Sequence, residues 1–286
     1  MLKRTLCLLF TVAAAFSMAT VTFAATSETV QTQTASNTQS ESPVIYIDEQ
    51  PISDSGLTIV NGVTYMPLSY FFPAALPGST VGWSGDYVVA SGTTAEGKTL
   101  SVAARPGDCY LVANGRYLYV ANEVRTINGL AMAPVVVMAE IFNGTAFWDT
   151  KGNCHVVLGE GLLTSGSEYY NSEMVDLLAR LIYAEAGNQP MKGKIAVGNV
   201  IFNRVKDSRF PSTLYEVIYA RNQFSVVNTG AINRTPSQEA VIAAKLSIEG
   251  ANVVGGALYF NRSGLDCWAS RNRTYVATIG AHDFYA

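Results

Sequence analysis

Glu185 is the residue of this sequence whose position asks for a chemical explanation. It lies near the end of a helix-like run whose apolar positions are Met174, Leu177, Leu178, Leu181 and Ile182. Their spacing is i, i+3, i+4, i+7, i+8. At 100° per residue, Glu185 falls about 20° from Met174, near the centre of that stripe. Glu173, Asp176 and Arg180 lie on the opposite face. A carboxylate on a buried stripe costs free energy unless it is paired, neutral or useful. Two readings are open. As a general acid, it has its pKa raised by apolar surroundings and keeps a proton near neutral pH, which suits protonation of a glycosidic oxygen. As a structural group, it caps buried backbone or pairs with an arginine at the helix end.

The remaining chemistry-bearing residues are few. The chain has two histidines, His155 and His282, which starves a zinc amidase of ligands. Asp266 and Asp283 are candidates for the second carboxylate that a retaining or inverting glycosidase uses. Cys267 and His282, fifteen residues apart, are what a cysteine peptidase would have to work with. No Gly-x-Ser-x-Gly elbow supports a serine esterase. Phe224, Tyr259 and Trp268 carry flat faces on which sugar rings can stack. Ser225 and Asn203 can hydrogen-bond substrate or Glu185, and His282 can stand near the site or serve the scaffold. No ligand set requires a metal, and no cofactor motif is present.

Composition limits the partners. Of 286 residues, 49% are hydrophobic and 14% charged, which suits folded domains rather than a disordered chain. A net charge of -3 excludes a nucleic-acid binder reading phosphates with a basic surface. Lys3 and Arg4 precede an apolar run, Thr5 through Val21, and Thr22-Phe23-Ala24 supplies small residues at the peptidase-read positions. This reads as a secretory signal over 1–24, cut after Ala24, with an uncleaved anchor as the alternative. Cys7 precedes most of that run, where a lipobox cysteine would not be. No later segment is apolar enough to span a bilayer, so no membrane contact is expected after cleavage. Export leaves Cys109, Cys154 and Cys267, of which the first two can bridge.

Residues 25–42 are Ser, Thr and Gln with almost no large apolar side chain, and read as a flexible tether. Over 43–161 the pattern becomes short apolar runs divided by Gly, Asn, Asp and Pro, with strand composition at 44–47, 87–90, 109–112 and 155–158. This region repeats itself. Val60-Asn61-Gly62-Val63-Thr64-Tyr65-Met66-Pro67-Leu68 parallels Ile127-Asn128-Gly129-Leu130-Ala131-Met132-Ala133-Pro134-Val135. Each copy runs through a short helix to a tryptophan, Trp83 or Trp148, and ends in an apolar strand. Asn-Gly predicts a hairpin turn, and Pro predicts the first residue of a helix. The pattern resembles the copper-amine-oxidase-type N-terminal domain. That resemblance implies an envelope-facing spacer or binding module. Copper is not expected, because His155 stands alone there, in a strand pattern that suits a partly buried structural residue.

Residues 162–172 read as a linker, and 173–286 as a helical domain with short strands at its end. Asp, Glu, Lys and Arg give 5 positive and 12 negative over 25–167, a net of -7, and 12 positive and 10 negative over 168–286, a net of +2. Thr235-Pro236-Ser237-Gln238 predicts a capped helix ending at Gly250. Five segments here resemble, in order, the spore-cortex-lytic and cell-wall hydrolase family of the SleB/CwlJ type. They are 178–186 (LARLIYAEA), 196–205 (AVGNVIFNRV), 223–225 (QFS), 256–260 (GALYF) and 278–284 (TIGAHDF). Residues 261–272 depart from the family pattern. The resemblance implies that Glu185 is the catalytic acid, on a lysozyme-like transglycosylase fold facing a sugar cleft. The fold class expected is therefore α+β, with a β-rich repeat module followed by a mainly helical catalytic domain bearing a small sheet. The function expected is cleavage of peptidoglycan glycan strands in the cell wall or spore envelope, at sporulation or germination. A lytic transglycosylase needs one carboxylate only, because the substrate's C6 hydroxyl attacks and leaves a 1,6-anhydro end. The competing readings are a wall-peptide amidase or Cys267 peptidase, and a non-catalytic wall-binding protein.

Overall fold

The computed structural model describes residues 43–53 and 55–286. The signal-peptide and tether readings fall on residues outside these. The described part forms one compact body from β-rich module to C-terminus.

The module begins with hairpin β1 (Ile45–Ile47) and β2 (Gln50–Ile52), then β3 (Thr58–Val60), β4 (Val63–Pro67) and helix α1 (Leu68–Ala75). A five-stranded meander follows: β5 (Thr80–Ser84), β6 (Tyr87–Thr93), β7 (Thr99–Ala104), β8 (Tyr110–Ala113) and β9 (Arg116–Tyr119). The second copy is β10 (Arg125–Ile127), β11 (Leu130–Pro134), α2 (Val135–Glu140), β12 (Thr145–Trp148) and β13 (Cys154–Val157). Asn61 and Gly62 have φ of 51° and 76°, and Asn128 and Gly129 have 51° and 78°. Two successive positive φ values are what a tight hairpin turn needs, and Asn-Gly supplies them with least strain. The two hairpins then pair with each other through β4 and β11, with Tyr65 opposite Pro134, Met66 opposite Ala133 and Pro67 opposite Met132. Met66 and Ala133 are equivalent positions of the repeat, so an approximate twofold axis passes through that pair. Pro67 and Pro134 act as N-caps with φ near -60° and ψ near 134°, one residue earlier than the sequence predicts. Their extended ψ ends the strand, and the helix starts on the next residue. Phe71, Phe72, Met138 and Ile141 fill the core beneath.

The predicted linker is docked. Leu162 is buried, and residues Gly166–Tyr169 form a helical turn, α3. Helix α4 (Ser172–Ala186) is capped by Asn171, whose side chain accepts from the Met174 N–H. Helix α5 (Met191–Lys206) is the centre of the domain and is buried on all sides from Gly193 to Ile201. Short helices α6 (Leu214–Tyr219) and α7 (Ser225–Asn228) follow, then α8 (Gln238–Ile248). Ser237 caps α8, not Thr235, because its hydroxyl is the one within reach of the Ala240 N–H. Helices α5 and α8 cross closely at Gly198, where a Cβ would stand 2.3 Å from the Ser247 hydroxyl. A sheet of order β14-β16-β15 closes the chain, from β14 (Tyr259–Arg262), β15 (Tyr275–Ile279) and β16 (His282–Tyr285). Helix α9 (Trp268–Asn272) lies between its strands in sequence.

Two sequence expectations change here. The stripe of α4 is not centred on Met174, which is 39% exposed, but on Val175, Leu178, Ala179, Leu181, Ile182 and Ala186. Glu185 is still about 20° from that stripe, measured now from Leu178. The suggested Cys109–Cys154 bridge does not form, and all three described cysteines are free. Cys154 belongs to the module core, whereas Cys109 packs with the helical domain.

That packing joins the halves. Tyr110, Tyr117 and Tyr119 lie against the helical core. The Arg116 guanidinium donates twice to Glu249, at 2.6 Å each, and sits 3.4 Å above the Tyr169 ring. The Tyr170 hydroxyl donates to the same carboxylate and accepts from the Tyr117 N–H.

Candidate active site

Glu185 sits in the last turn of α4 and is half-buried. Burial raises its pKa, and the nearby Arg204 charge opposes that without reversing it. Among the described residues no cation lies within ion-pair distance of the carboxyl. The acid is thus held towards its protonated form while a positive charge stands within range of the carboxylate it becomes.

Arg204 comes from the last turns of α5 and is 6% exposed. Its Nε donates to the Leu258 carbonyl at 2.8 Å, and one terminal nitrogen donates to the Gln223 amide oxygen at 3.3 Å. The guanidinium lies over the rings of Phe210, Phe224 and Tyr259, 5.2 to 5.7 Å from their centres. Burial pulls its pKa down to about 10, which leaves it charged at neutral pH. Sequence reading did not single out Arg204 or Gln223. The available signal was a second charge, after Lys194, on a helix otherwise apolar all round.

The predicted aromatic residues divide between core and surface. Phe224 is 5% exposed and lies beneath Arg204. Tyr259 is half-buried and links two groups, with Arg204 on one side and Trp268 edge-on at 5.6 Å on the other. Trp268 opens α9 and is 55% exposed. Arg273 lies over both rings, 4.6 Å from Trp268 and 5.3 Å from Tyr259. Glu185, Arg204, Tyr259 and Trp268 therefore form one connected set, drawn from α4, α5, β14 and α9.

The predicted polar residues are committed elsewhere or stand apart. The Asn203 amide donates to the carbonyls of Gly255 and Ala257 and fixes the loop before β14. Ser225 is exposed at the start of α7. His282 stacks edge-on against Phe260 and Phe284, and burial lowers its pKa, which keeps the ring neutral. Asp266 pairs on the surface with Arg271. Asp283 accepts from the Gly264 N–H and the Thr278 hydroxyl, which hold its carboxyl below the usual range. Cys267 caps α9, with its Sγ accepting from the Ser270 N–H at 3.5 Å.

Comparison with known proteins agrees with this division. Residues 188–285 match the family model described as Cell Wall Hydrolase, beginning three residues past Glu185. Residues 46–157 match the Copper amine oxidase N-terminal domain. A spore cortex-lytic enzyme of Bacillus cereus is 34% identical over 116 residues, covering 40% of this chain and 45% of the relative. The cell wall hydrolase CwlJ of Bacillus subtilis is 32% identical over 118 residues, covering 39% of this chain and 83% of the relative. The solved catalytic domain of the germination-specific lytic transglycosylase SleB from Bacillus anthracis is 30% identical. It is covered completely by 43% of this chain, with a TM-score of 0.39. The chain spans about half the length of the spore cortex-lytic relatives it matches. The copper of the module's family name finds no fit here. His155 is stacked between Tyr46 and Phe147, and no three metal-ligating side chains converge among the described residues.

Proposed function

The chain belongs to the cell wall hydrolase family, and from that premise we propose that its C-terminal domain cuts peptidoglycan glycan strands as a lytic transglycosylase. The bond is the β-1,4 link from N-acetylmuramic acid to N-acetylglucosamine. The observation that carries this reading is Glu185, a half-buried carboxyl with a raised pKa and no ion-pair partner among the described residues.

Glu185 donates its proton to the glycosidic oxygen as the bond to the muramoyl C1 breaks. The C1 centre takes on oxocarbenium character. The Glu185 carboxylate, steadied by the Arg204 charge, then accepts the proton of the same sugar's C6 hydroxyl. The C6 oxygen closes on C1, giving a 1,6-anhydro end and regenerating the acid. Water is not consumed and no second carboxylate is required. The hydrogen bonds and ion pair of Asp283 and Asp266 support this outcome over hydrolysis. The thiol of Cys267, occupied in capping α9, speaks against a peptidase.

Relatives named spore cortex-lytic enzymes make cortex peptidoglycan the first substrate to try, and the basic N-terminus followed by an apolar run supports export to the wall or spore envelope. Among the described residues no helix is long and apolar enough to cross a membrane. The test is mass spectrometry of sacculi digested by the protein and by Glu185→Gln. Anhydro-muramoyl ends made by the unmutated protein alone are expected. Reducing ends would mean that water attacks, and cut peptides on intact glycan would sink the reading.

A further inference from the structure

The N-terminal module carries aromatic surface that its core does not use. Trp83 pairs across its hairpin with Val88. Val88 is 4% exposed and Trp83 is 55% exposed. Directly paired residues share a face of the sheet, so Trp83 extends the core-facing side past its end into solvent. A large exposed indole at such an edge marks a surface that meets a ligand.

On one side, Trp83 rests by a small cavity of about 110 Å³ floored by Val81, Leu130 and Ala131. On the other it borders an open cavity of about 630 Å³ with Asp86, Arg105 and Asp108. There Arg105 donates to both oxygens of Asp108, at 3.1 and 2.7 Å, and its guanidinium lies 5.6 Å from the Tyr87 ring centre. Arg105, Gly107 and Asp108 also line a neighbouring cavity of about 440 Å³ whose far wall includes Met191, Lys192 and Ile279. The two cavities thus make one groove, from Trp83 across the Arg105–Asp108 pair to the start of α5.

Its chemistry fits a sugar. A pyranose lays its axial C–H face on an indole, and its hydroxyl and acetamido groups bridge planar, bidentate Arg–carboxylate pairs. Residues 43–161 hold 5 Lys and Arg against 10 Asp and Glu, a net of -5, which repels phosphate-rich wall polymers and leaves a neutral glycan favoured. We infer that this groove binds N-acetylhexosamine units of the uncut glycan strand, away from the bond being cleaved. The inference rests on the glycan-cleaving reading above for its ligand.

The test uses the full chain carrying Glu185→Gln, so that strands are held and not cut. The probe is peptidoglycan freed of stem peptides by amidase and of phosphate polymers by hydrofluoric acid. Adding Trp83→Ala is expected to weaken binding about tenfold, and Arg105→Ala to weaken it as well. Trp83→Phe should retain most of it, and Trp148→Ala in the other repeat should change nothing. In the otherwise unmutated chain, Trp83→Ala should raise KM on sacculi while kcat on a short soluble fragment stays constant. Parent-like binding by Trp83→Ala would overturn the inference, as would binding confined to sacculi that keep their phosphate polymers. Trp83-dependent binding by a chain that cuts no glycan would uphold the groove while removing the transglycosylase reading.

Discussion

The two halves of the molecule keep their exceptions in different places. Of eight non-glycine residues at positive φ among those described, seven lie in the β-rich module and one, Asn222, in the helical domain. Buried charges run the other way, with Arg116 in the module and Lys194, Arg204 and Asp283 in the helical domain. The module departs from regularity in its backbone, at turns that set its shape. The helical domain departs in its side chains, at charges turned towards the interior. A surface for holding needs shape, whereas a site for bond cleavage needs a group whose protonation its surroundings control.

The largest effect expected from that contrast is on rate. Glu185→Gln should lower turnover by about 10²–10⁴. The same substitution should raise stability at pH 7. A carboxyl whose pKa is raised by folding contributes stability below its unfolded value and loses it as pH rises through the folded one. The melting difference between variant and parent should therefore vanish below about pH 4. A variant no more stable than the parent at pH 7 would mean that Glu185 carries no burial penalty.

Next comes the one buried charge of the module. Arg116→Ala leaves Glu249, whose side chain is 5% exposed, without its cation. It should cost about 3–5 kcal/mol in denaturant unfolding. A separate early transition for one half would show that this contact alone makes the halves melt together. Gly198→Ala is smaller. Its Cβ has to displace Ser247 where α5 crosses α8, at about 1–3 kcal/mol. Gly129→Ala should be smallest, about 1 kcal/mol, because the turn is open and only its φ of 78° is strained. A loss at Gly129 equal to that at Gly198 would break the contrast between shape set by turns and structure set by interior contacts.

What the sequence revealed follows the same division. The Asn-Gly pairs specify their turns locally, so the hairpins, the repeat and their approximate symmetry could be read directly. Glu185 was legible as a carboxyl on an apolar face, although Met174, the residue used to centre that face, is exposed. The error was harmless because Leu178 lies one near-complete double turn before Glu185. Arg204 was not legible in the same way. Helix α5 is buried all round, so no polar face exists against which an interior charge stands out. Cys109 failed for a longer-range reason. Its neighbours come from helices more than sixty residues later, and nothing in the strand pattern announces them.

The clamp at Arg116, Glu249, Tyr169 and Tyr170 has a consequence for where cuts fall. An enzyme on a loose tether can visit every bond inside its reach. A clamped joint instead offers one cleft at one offset from whatever the module grips. The effective concentration of the acid is then high at bonds near that offset and close to zero at others. Fragment lengths released from a long strand would carry the dimensions of the protein, with the joint acting as a ruler.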